Sequence, residues 1–108
     1  MHQSKELNFC CFYCSSVGKD REICKFFKAL TNDNRLKIVT QLRLGPQCVY
    51  EIEGALNLSQ NLISHHLKKL EKAGMVLSEK RGTKVYYRLN KQQFEEHSSF
   101  LQRFLVNN

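Results

Sequence analysis

The sequence contains none of the features that direct a chain into a membrane or out of a cell. No uninterrupted apolar run approaches the roughly 18 residues that a membrane span needs. The first residues, MHQSKELNF, lack the basic start and the long apolar stretch of a secretory signal. We therefore expect a cytoplasmic protein that has no membrane partner.

The sequence also lacks the residue patterns on which enzymes depend. We find no acid/base pair, no phosphate-binding glycine loop and no nucleophile arrangement, and internal repeats are absent. The composition of the 108 residues, 42% hydrophobic and 25% charged, is that of one ordinary globular domain. These observations predict a small protein with a single core and no catalytic activity.

The formal net charge of the whole chain is +7, and acidic residues are scarce in its second half. Between Ser59 and Lys91 the two acids are Glu71 and Glu79. The bases of this segment are Lys68, Lys69, Lys72, Lys80, Arg81, Lys84, Arg88 and Lys91. Positive charge concentrated on one segment is typical of proteins that bind a polyanion, although a solvated surface has the same composition.

Apolar periodicity predicts a mainly α chain with a small β-hairpin. An N-terminal arm over residues 1–18 carries cysteines, and helical stripes then begin near Asp20, after Asn32 and near Val49. Ser59 is the predicted N-cap of a fourth helix, QNLISHHLKKLEKAG. The following run, MVLSEKRGTKVYYRL, alternates as a hairpin does and has a glycine at its turn, and a last helix ends near Val106.

This order of elements is that of a winged helix-turn-helix. The third and fourth helices are separated by the short break Asn57-Leu58-Ser59, which is typical of a helix-turn-helix, and the hairpin would be the wing. We therefore expect residues 19–108 to form one winged-helix domain for DNA binding and dimerisation. The dimer is expected because Leu101, Phe104 and Leu105 give the last helix more apolar surface than so small a core needs.

The predicted DNA-binding residues lie on the fourth helix and at the hairpin tip. The helix residues opposite the apolar stripe are Gln60, Asn61, Ser64, His65 and Lys68, and the tip residues are Lys80, Arg81 and Lys84. A helix fits the major groove of B-DNA, where polar side chains of its first half meet base edges and lysines meet phosphates. His66 lies on the apolar stripe, which predicts a packed histidine.

The string LSQNLISHHLKKLEKAGMV, followed by GTKVYYRL, resembles the ArsR/SmtB family of metal-sensing repressors. The resemblance spans about Ile23 to Leu105, although Asn61-Leu62 stands where the family more often has a small residue and threonine. It implies a winged-helix homodimer, joined through its first and last helices, that binds operator DNA until an inducer binds.

The resemblance also implies where an inducer could bind. The family's zinc site on the last helix is absent, since Phe104 stands at its second histidine, and the third-helix Cys-Val-Cys motif is Cys48-Val49-Tyr50 here. Cadmium- and lead-sensing members add two arm cysteines, spaced like Cys10 and Cys14. Some arsenic-sensing members use an adjacent pair, like Cys10-Cys11.

The predicted metal ligands are the thiolates of Cys10, Cys11, Cys14 and Cys48. Soft ions select thiolates, and three sulfurs satisfy As(III) or Sb(III), whereas Cd(II) favours four. We expect As(III)/Sb(III) or Cd(II)/Pb(II) as the inducer, with the ion tying the arm to the helix-turn-helix. Cys24 lies beside the stripe of the first helix, which predicts a packing role.

Two alternatives remain open at the thiols. Cys48 could be a small buried hydrophobe, with the arm cysteines idle. The switch could also be thiol oxidation or persulfide chemistry, in which Cys11 and Cys14 or an arm–Cys48 pair reacts without a metal. A winged helix that binds protein rather than DNA is the rival at the level of function.

Overall fold

The computed structural model describes residues 18–106, so the cysteine-bearing arm and the last two residues lie outside the described residues. Five helices and three strands follow one another along the chain. They are α1 (Gly18–Lys28), α2 (Asp33–Leu42), β1 (Gln47–Cys48), α3 (Val49–Leu56), α4 (Gln60–Lys72), β2 (Val76–Arg81), β3 (Lys84–Leu89) and α5 (Lys91–Val106).

The predicted N-cap Ser59 is confirmed, and Asn32 caps α2 in the same way. Asn32 Oδ1 accepts hydrogen bonds from the backbone N–H groups of Asn34 (2.9 Å) and Arg35 (3.1 Å) at the start of α2. Ser59 Oγ accepts one from Leu62 N at 3.2 Å at the start of α4. Each oxygen satisfies backbone donors that have no partner within the helix, which fixes the residue at which the helix begins.

The wing is a three-stranded antiparallel sheet in the order β1-β3-β2. Strands β2 and β3 pair from Val76 opposite Leu89 to Arg81 opposite Lys84, and Gly82 (φ +64°) begins the two-residue turn between them. Its left-handed backbone suits a tight hairpin, where glycine carries no steric cost. The predicted hairpin of β2 and β3 is confirmed, and β1 adds a third strand beside β3 that the sequence reasoning did not predict.

The core lies where α1 to α4 meet the base of the wing. Its largest side chains, each less than 2% exposed, are Phe26, Ile38, Ile52, Ile63, Leu67, Leu70, Met75 and Val76. Leu36 and Ala55 continue the apolar stripes of α2 and α3 in the sequence, which predicts that they face inward, but Leu36 is 50% exposed and Ala55 is also exposed.

The fold is a winged helix-turn-helix, as the sequence predicted. None of the helices described between residues 18 and 106 is long and apolar enough to span a bilayer.

Candidate DNA-binding surface and thiol site

Helix α4 is held by one buried face, which leaves the opposite face in solvent. Its inner side chains Ile63, Leu67 and Leu70 are fully buried. On the outer side lie the five residues predicted from the sequence, which we call the reading face: Gln60, Asn61, Ser64, His65 and Lys68. Four of them are exposed and Ser64 is half-buried. The amphipathic pattern thus places amide, hydroxyl and imidazole groups together on an accessible helix surface.

Gln60 has a second role within the fold. Its Nε2 donates a hydrogen bond of 2.8 Å to Glu53 Oε1 on α3, across the turn of the helix-turn-helix. This bond joins the two helices of the motif and orients the first residue of α4. A base contact by Gln60 must compete with this bond, so we expect Ser64 and His65 to carry more of the readout.

The wing tip presents Lys80, Arg81 and Lys84, all exposed. Arg81 is oriented on both sides, since its NH2 lies 3.3 Å from Glu79 Oε1 and its guanidinium carbon lies 4.9 Å above the centre of the Tyr86 ring. An exposed ion pair contributes at most about 1 kcal/mol, so a phosphate can replace the Glu79 carboxylate at little cost. Arg81 therefore already has a defined orientation, and its contact with Glu79 can be exchanged for a contact with phosphate.

A hydrogen bond ties the wing to α4. Ser78 Oγ on β2 donates to Glu71 Oε2 at 2.7 Å. Burial, and then the Glu71 carboxylate, raise the pKa of the neighbouring Tyr87 above its usual range, which keeps the phenol neutral. Glu71 thus marks the flank of α4 that faces the wing.

Sequence reasoning missed the partner of His66. The prediction of a packed histidine is confirmed, because His66 is 6% exposed. Its Nδ1 lies 3.5 Å from Arg35 NH1, while Arg35 Nε donates to the Ala29 carbonyl at 2.7 Å. Burial, followed by the charges of Arg35, His65 and Lys69, lowers the pKa of His66, so the ring is neutral near pH 7 and can accept from Arg35.

Cys48 lies at the junction of β1 and α3 and is 5% exposed. Its backbone N–H donates to Glu51 Oε1 at 2.9 Å, and the residue pairs with Tyr86 of β3. Cys48 therefore connects the first helix of the helix-turn-helix to the wing. The residues from 18 to 106 contain no group of three His, Cys, Asp or Glu side chains that could hold a metal ion. The other predicted ligands, Cys10, Cys11 and Cys14, lie outside the described residues.

Two further side chains lie outside α4 and the wing, Cys24 on α1 and His97 on α5. Cys24 is half-buried on α1 and is disulfide-bonded, so the packing role predicted for it is incomplete and Cys48 is the free thiol of the part that the structure describes. His97 on α5 is buried, with its ring centre 4.4 Å from that of Phe26. Its place could have been read from its position three residues after Phe94 on one helical stripe.

Comparison with known proteins supports the assignment of a winged helix-turn-helix. Residues 32–78 match the model of a family described as "Bacterial regulatory protein, arsR family". This segment runs from the N-cap of α2 through the helix-turn-helix into β2. It contains the reading face and Cys48, but not the wing tip.

Three relatives illustrate the range of similar proteins. The HTH-type transcriptional repressor SmtB of Mycobacterium tuberculosis is 45% identical over 65 residues, which are 60% of this chain and 48% of that protein. The arsenic resistance transcriptional regulator ArsR1 of Pseudomonas putida is 43% identical over 65 residues (59% and 51%). A cadmium resistance transcriptional regulatory protein, a CadC homolog of Staphylococcus aureus, is 36% identical over 76 residues (69% and 63%). The chain spans about half to two thirds of the length of these relatives.

Solved structures agree with the fold. An ArsR-like transcriptional regulator from Rhodococcus sp. RHA1 superposes with a TM-score of 0.77 at 28% identity, over 84% of this chain and 86% of that one. A homodimeric winged helix-turn-helix DNA-binding domain from Mycobacterium bovis gives a TM-score of 0.66 at 26% identity, over 82% of each chain. Both of these solved structures are described as regulators of transcription or their DNA-binding domains, and their likeness confirms the winged helix-turn-helix fold of this chain.

Proposed function

Because the chain belongs to the arsR family of bacterial regulatory proteins, we propose that it is a homodimeric transcriptional repressor. The proposal has two parts. The dimer binds operator DNA through the reading face and the wing tip. A soft metal or metalloid ion, bound by cysteine thiolates, then releases the dimer from the operator.

The observation that carries the DNA-binding part is the accessible, carboxylate-poor surface of α4. Asn61, His65 and Lys68 are exposed on one helix face, and Arg81 is held over the Tyr86 ring at the wing tip. Side chains of the first half of a recognition helix meet base edges in the major groove, whereas a basic wing suits phosphate or the minor groove. We assign base contacts to Ser64 and His65, and backbone contacts to Lys68, Lys80, Arg81 and Lys84.

A second copy of the chain is needed to read a palindromic operator. Leu101 and Leu105 of α5 are 47% and 76% exposed, so they are available to a second copy. The M. bovis neighbour is described as homodimeric. In a two-fold dimer, two α4 helices would enter successive major grooves about 34–36 Å apart.

The inducer that we propose is As(III)/Sb(III) or Cd(II)/Pb(II), held by Cys48 together with arm thiolates drawn from Cys10, Cys11 and Cys14. Thiolates bind these ions in preference to hard cations. Related regulators are named for arsenic and for cadmium resistance, which supports a soft ion but does not choose between the two. Since Cys48 is buried, its thiol becomes a ligand only when the β1–α3 junction opens.

That burial suggests how binding could reach the DNA surface. Cys48 forms the start of α3 and pairs with Tyr86, the residue whose ring lies beneath Arg81. Drawing Cys48 out of its place would therefore disturb both the helix-turn-helix and the wing. A coupling of roughly 1–3 kcal/mol corresponds to a 5- to 150-fold loss of operator affinity.

Operator-binding anisotropy, titrated separately with As(III), Sb(III), Cd(II), Pb(II) and Zn(II), tests the proposal. Parent protein should bind DNA from its own promoter region and be released by a thiophilic ion. Cys48→Ser should bind the same DNA and not be released. Cys48→Ala is the matched variant, because it removes the thiol without placing a hydroxyl in the buried position, and both variants should melt cooperatively.

The remaining outcomes separate the alternatives. A Cys48→Ser protein that dissociates at the same inducer concentration would place the sensor elsewhere and overturn the role of Cys48. Release by diamide with no response to any ion would identify a thiol-oxidation switch instead. Failure of the parent to bind promoter DNA would reject the repressor itself.

A further inference from the structure

A cavity of about 490 Å³ lies between α1, the start of α2 and the second half of α4. Five cationic side chains line it: Lys25, Lys28, Arg35, Lys69 and Lys72. The other described residues that line it are two alanines and Thr31, so none of the carboxylates that the structure describes faces into it. We call this cavity the basic pocket, and none of the eight predicted DNA-binding residues belongs to it.

The positive charge of the basic pocket is not balanced within the described chain. Among the side chains that the structure describes, the one ion pair joins Arg81 to Glu79, on the wing. Glu22 lines a neighbouring cavity of about 320 Å³ that shares Lys25 and Lys72 with the basic pocket, but it forms no ion pair with either. Five like charges around one cavity repel one another, so an anion bound among them is favoured.

Arg35 is oriented for such an anion. Its Nε is used by the Ala29 carbonyl, and one NH1 hydrogen points toward the neutral His66 ring. Both acceptors are uncharged, so they fix the guanidinium without neutralising it. The remaining N–H groups stay available, and a planar guanidinium matches two oxygens of a phosphate.

The position of the basic pocket on α4 indicates where the anion comes from. Lys72 follows Lys68 by one helical turn, so the pocket continues the reading face toward the end of the helix. Lys69 lies two residues before Glu71, on the flank opposite the one that faces the wing. The 13-residue helix is about 20 Å long, so its second half extends beyond the groove floor toward a phosphate ridge.

We propose that the basic pocket binds a phosphate of the operator backbone, so that each subunit holds the DNA on both flanks of α4. The wing tip contacts one flank and the basic pocket the other. This inference rests on the proposed function and adds a phosphate contact made by three helices, including α1 and α2. It assigns a DNA role to residues outside the helix-turn-helix and the wing.

The salt dependence of operator binding tests the proposal. The variant is Lys28→Gln with Lys69→Gln, because both side chains are exposed and their replacement leaves the core intact. The matched control is Lys37→Gln with Arg43→Gln, which removes the same charge from exposed positions outside the pocket. Each lost phosphate contact reduces the slope of log K against log salt by about 0.9, so a dimer should lose about 1.8.

The two pairs should therefore differ clearly. Between 50 and 200 mM salt the parent and the control should lose roughly tenfold more affinity than the pocket variant does. Equal slopes in the parent, the pocket variant and the control would overturn the phosphate contact while leaving the repressor in place. A parent that binds no promoter DNA would overturn the proposed function and this inference together.

A DNA-free arm distinguishes backbone phosphate from a free phosphoanion. The parent is titrated with inorganic tripolyphosphate, and the amide signals of Thr31 and Ala73 are followed by NMR. We expect weak binding that ordinary salt removes. Saturation at micromolar tripolyphosphate, lost in the pocket variant and accompanied by an unchanged operator slope, would assign the pocket to a small phosphoanion and reject the backbone contact.

Discussion

Helices α4 and α5 have similar sequence patterns and different surroundings. In α4, the stripe residues Ile63, Leu67 and Leu70 are fully buried within the chain. In α5, Phe94 packs partly against the core, whereas Leu101 is 47% and Leu105 is 76% exposed. The apolar stripe of α4 is covered by its own chain, whereas that of α5 is covered over its first half alone.

This difference separates folding from assembly. The stripe of α4 meets α2, α3 and β2, so removing any part of it opens the single core. The second half of α5 leaves that core and offers leucines to solvent, which is unfavourable unless another surface covers them. We infer that α4 holds the subunit together and that α5 holds two subunits together.

The largest expected effect is on α4. Leu67→Ala should lower the free energy of unfolding by about 2–5 kcal/mol, because it leaves a cavity in a side-chain position that is fully buried. Leu44→Ala, at a leucine that is 74% exposed after α2, is the matched control and should change stability by no more than about 0.5 kcal/mol. Urea unfolding at one fixed protein concentration measures both. Equal losses in the two variants would show that α4 does not carry the core.

The second effect is on α5. Leu101→Gln with Leu105→Gln should raise the dimer dissociation constant by on the order of 100-fold while keeping the fold, because each leucine is lost twice across a two-fold interface. Leu44→Gln removes an exposed leucine elsewhere and should leave the dimer unchanged. Sedimentation equilibrium gives the dissociation constants, and far-UV circular dichroism reports the fold. A parent that sediments as a monomer at micromolar concentration would contradict the assignment of α5.

The same comparison explains what could be predicted from sequence. Stripes, caps and turn residues are local, so Ser59, Gly82 and the buried face of α4 were identified correctly. The exposure of Leu36 was not, because periodicity shows that a face is apolar but not how much surface exists to cover it. Strand β1 has two residues and no periodicity, so it exists through its pairing with β3.

The part of the functional surface that lies on one helix could be predicted from sequence, whereas the parts that join several elements could not. The reading face belongs to one helix and follows from helical geometry. The basic pocket joins Lys25, Arg35 and Lys69 from three helices, and nothing in their sequence spacing brings them together. The proposed thiol site combines Cys48 with cysteines of the arm, and no local sequence pattern indicates that they come together.

A third prediction concerns the outer face of α4. Ser64→Ala and His65→Ala should each weaken operator binding by about 1–3 kcal/mol if they meet base edges, and the fold should remain intact because both lie away from the buried stripe. Ser98→Ala, an exposed serine on α5, is the matched control. Arg81→Ala should weaken binding with a salt slope shallower by about 0.9 per contact. Unchanged operator affinity in all three variants would contradict the placement of DNA on this face.

The smallest expected effect is on the pH dependence of stability, and it concerns a second feature that α4 and α5 share. Each of them buries one histidine, His66 at 6% and His97 at 5% exposure. The pKa of His66 is lowered from 6.5, chiefly by burial and then by Arg35, His65 and Lys69. Below pH 6.5 the unfolded chain therefore binds a proton that the folded chain does not, and the free energy of unfolding falls as the pH falls toward the folded pKa.

The slope from this one group is at most about 1.4 kcal/mol per pH unit. His66→Asn should flatten the dependence of stability on pH between 5 and 6.5, since the amide oxygen can still accept from Arg35 but does not titrate. His65→Asn removes one of the lesser causes of the lowered pKa of His66, so it should reduce the slope by less than His66→Asn does. Urea unfolding at matched protein concentration across this range supplies the slopes. If the slope of His66→Asn equals that of the parent, the buried His66 ring does not accept from Arg35 in its neutral form. The orientation of Arg35 in the basic pocket would then need another cause.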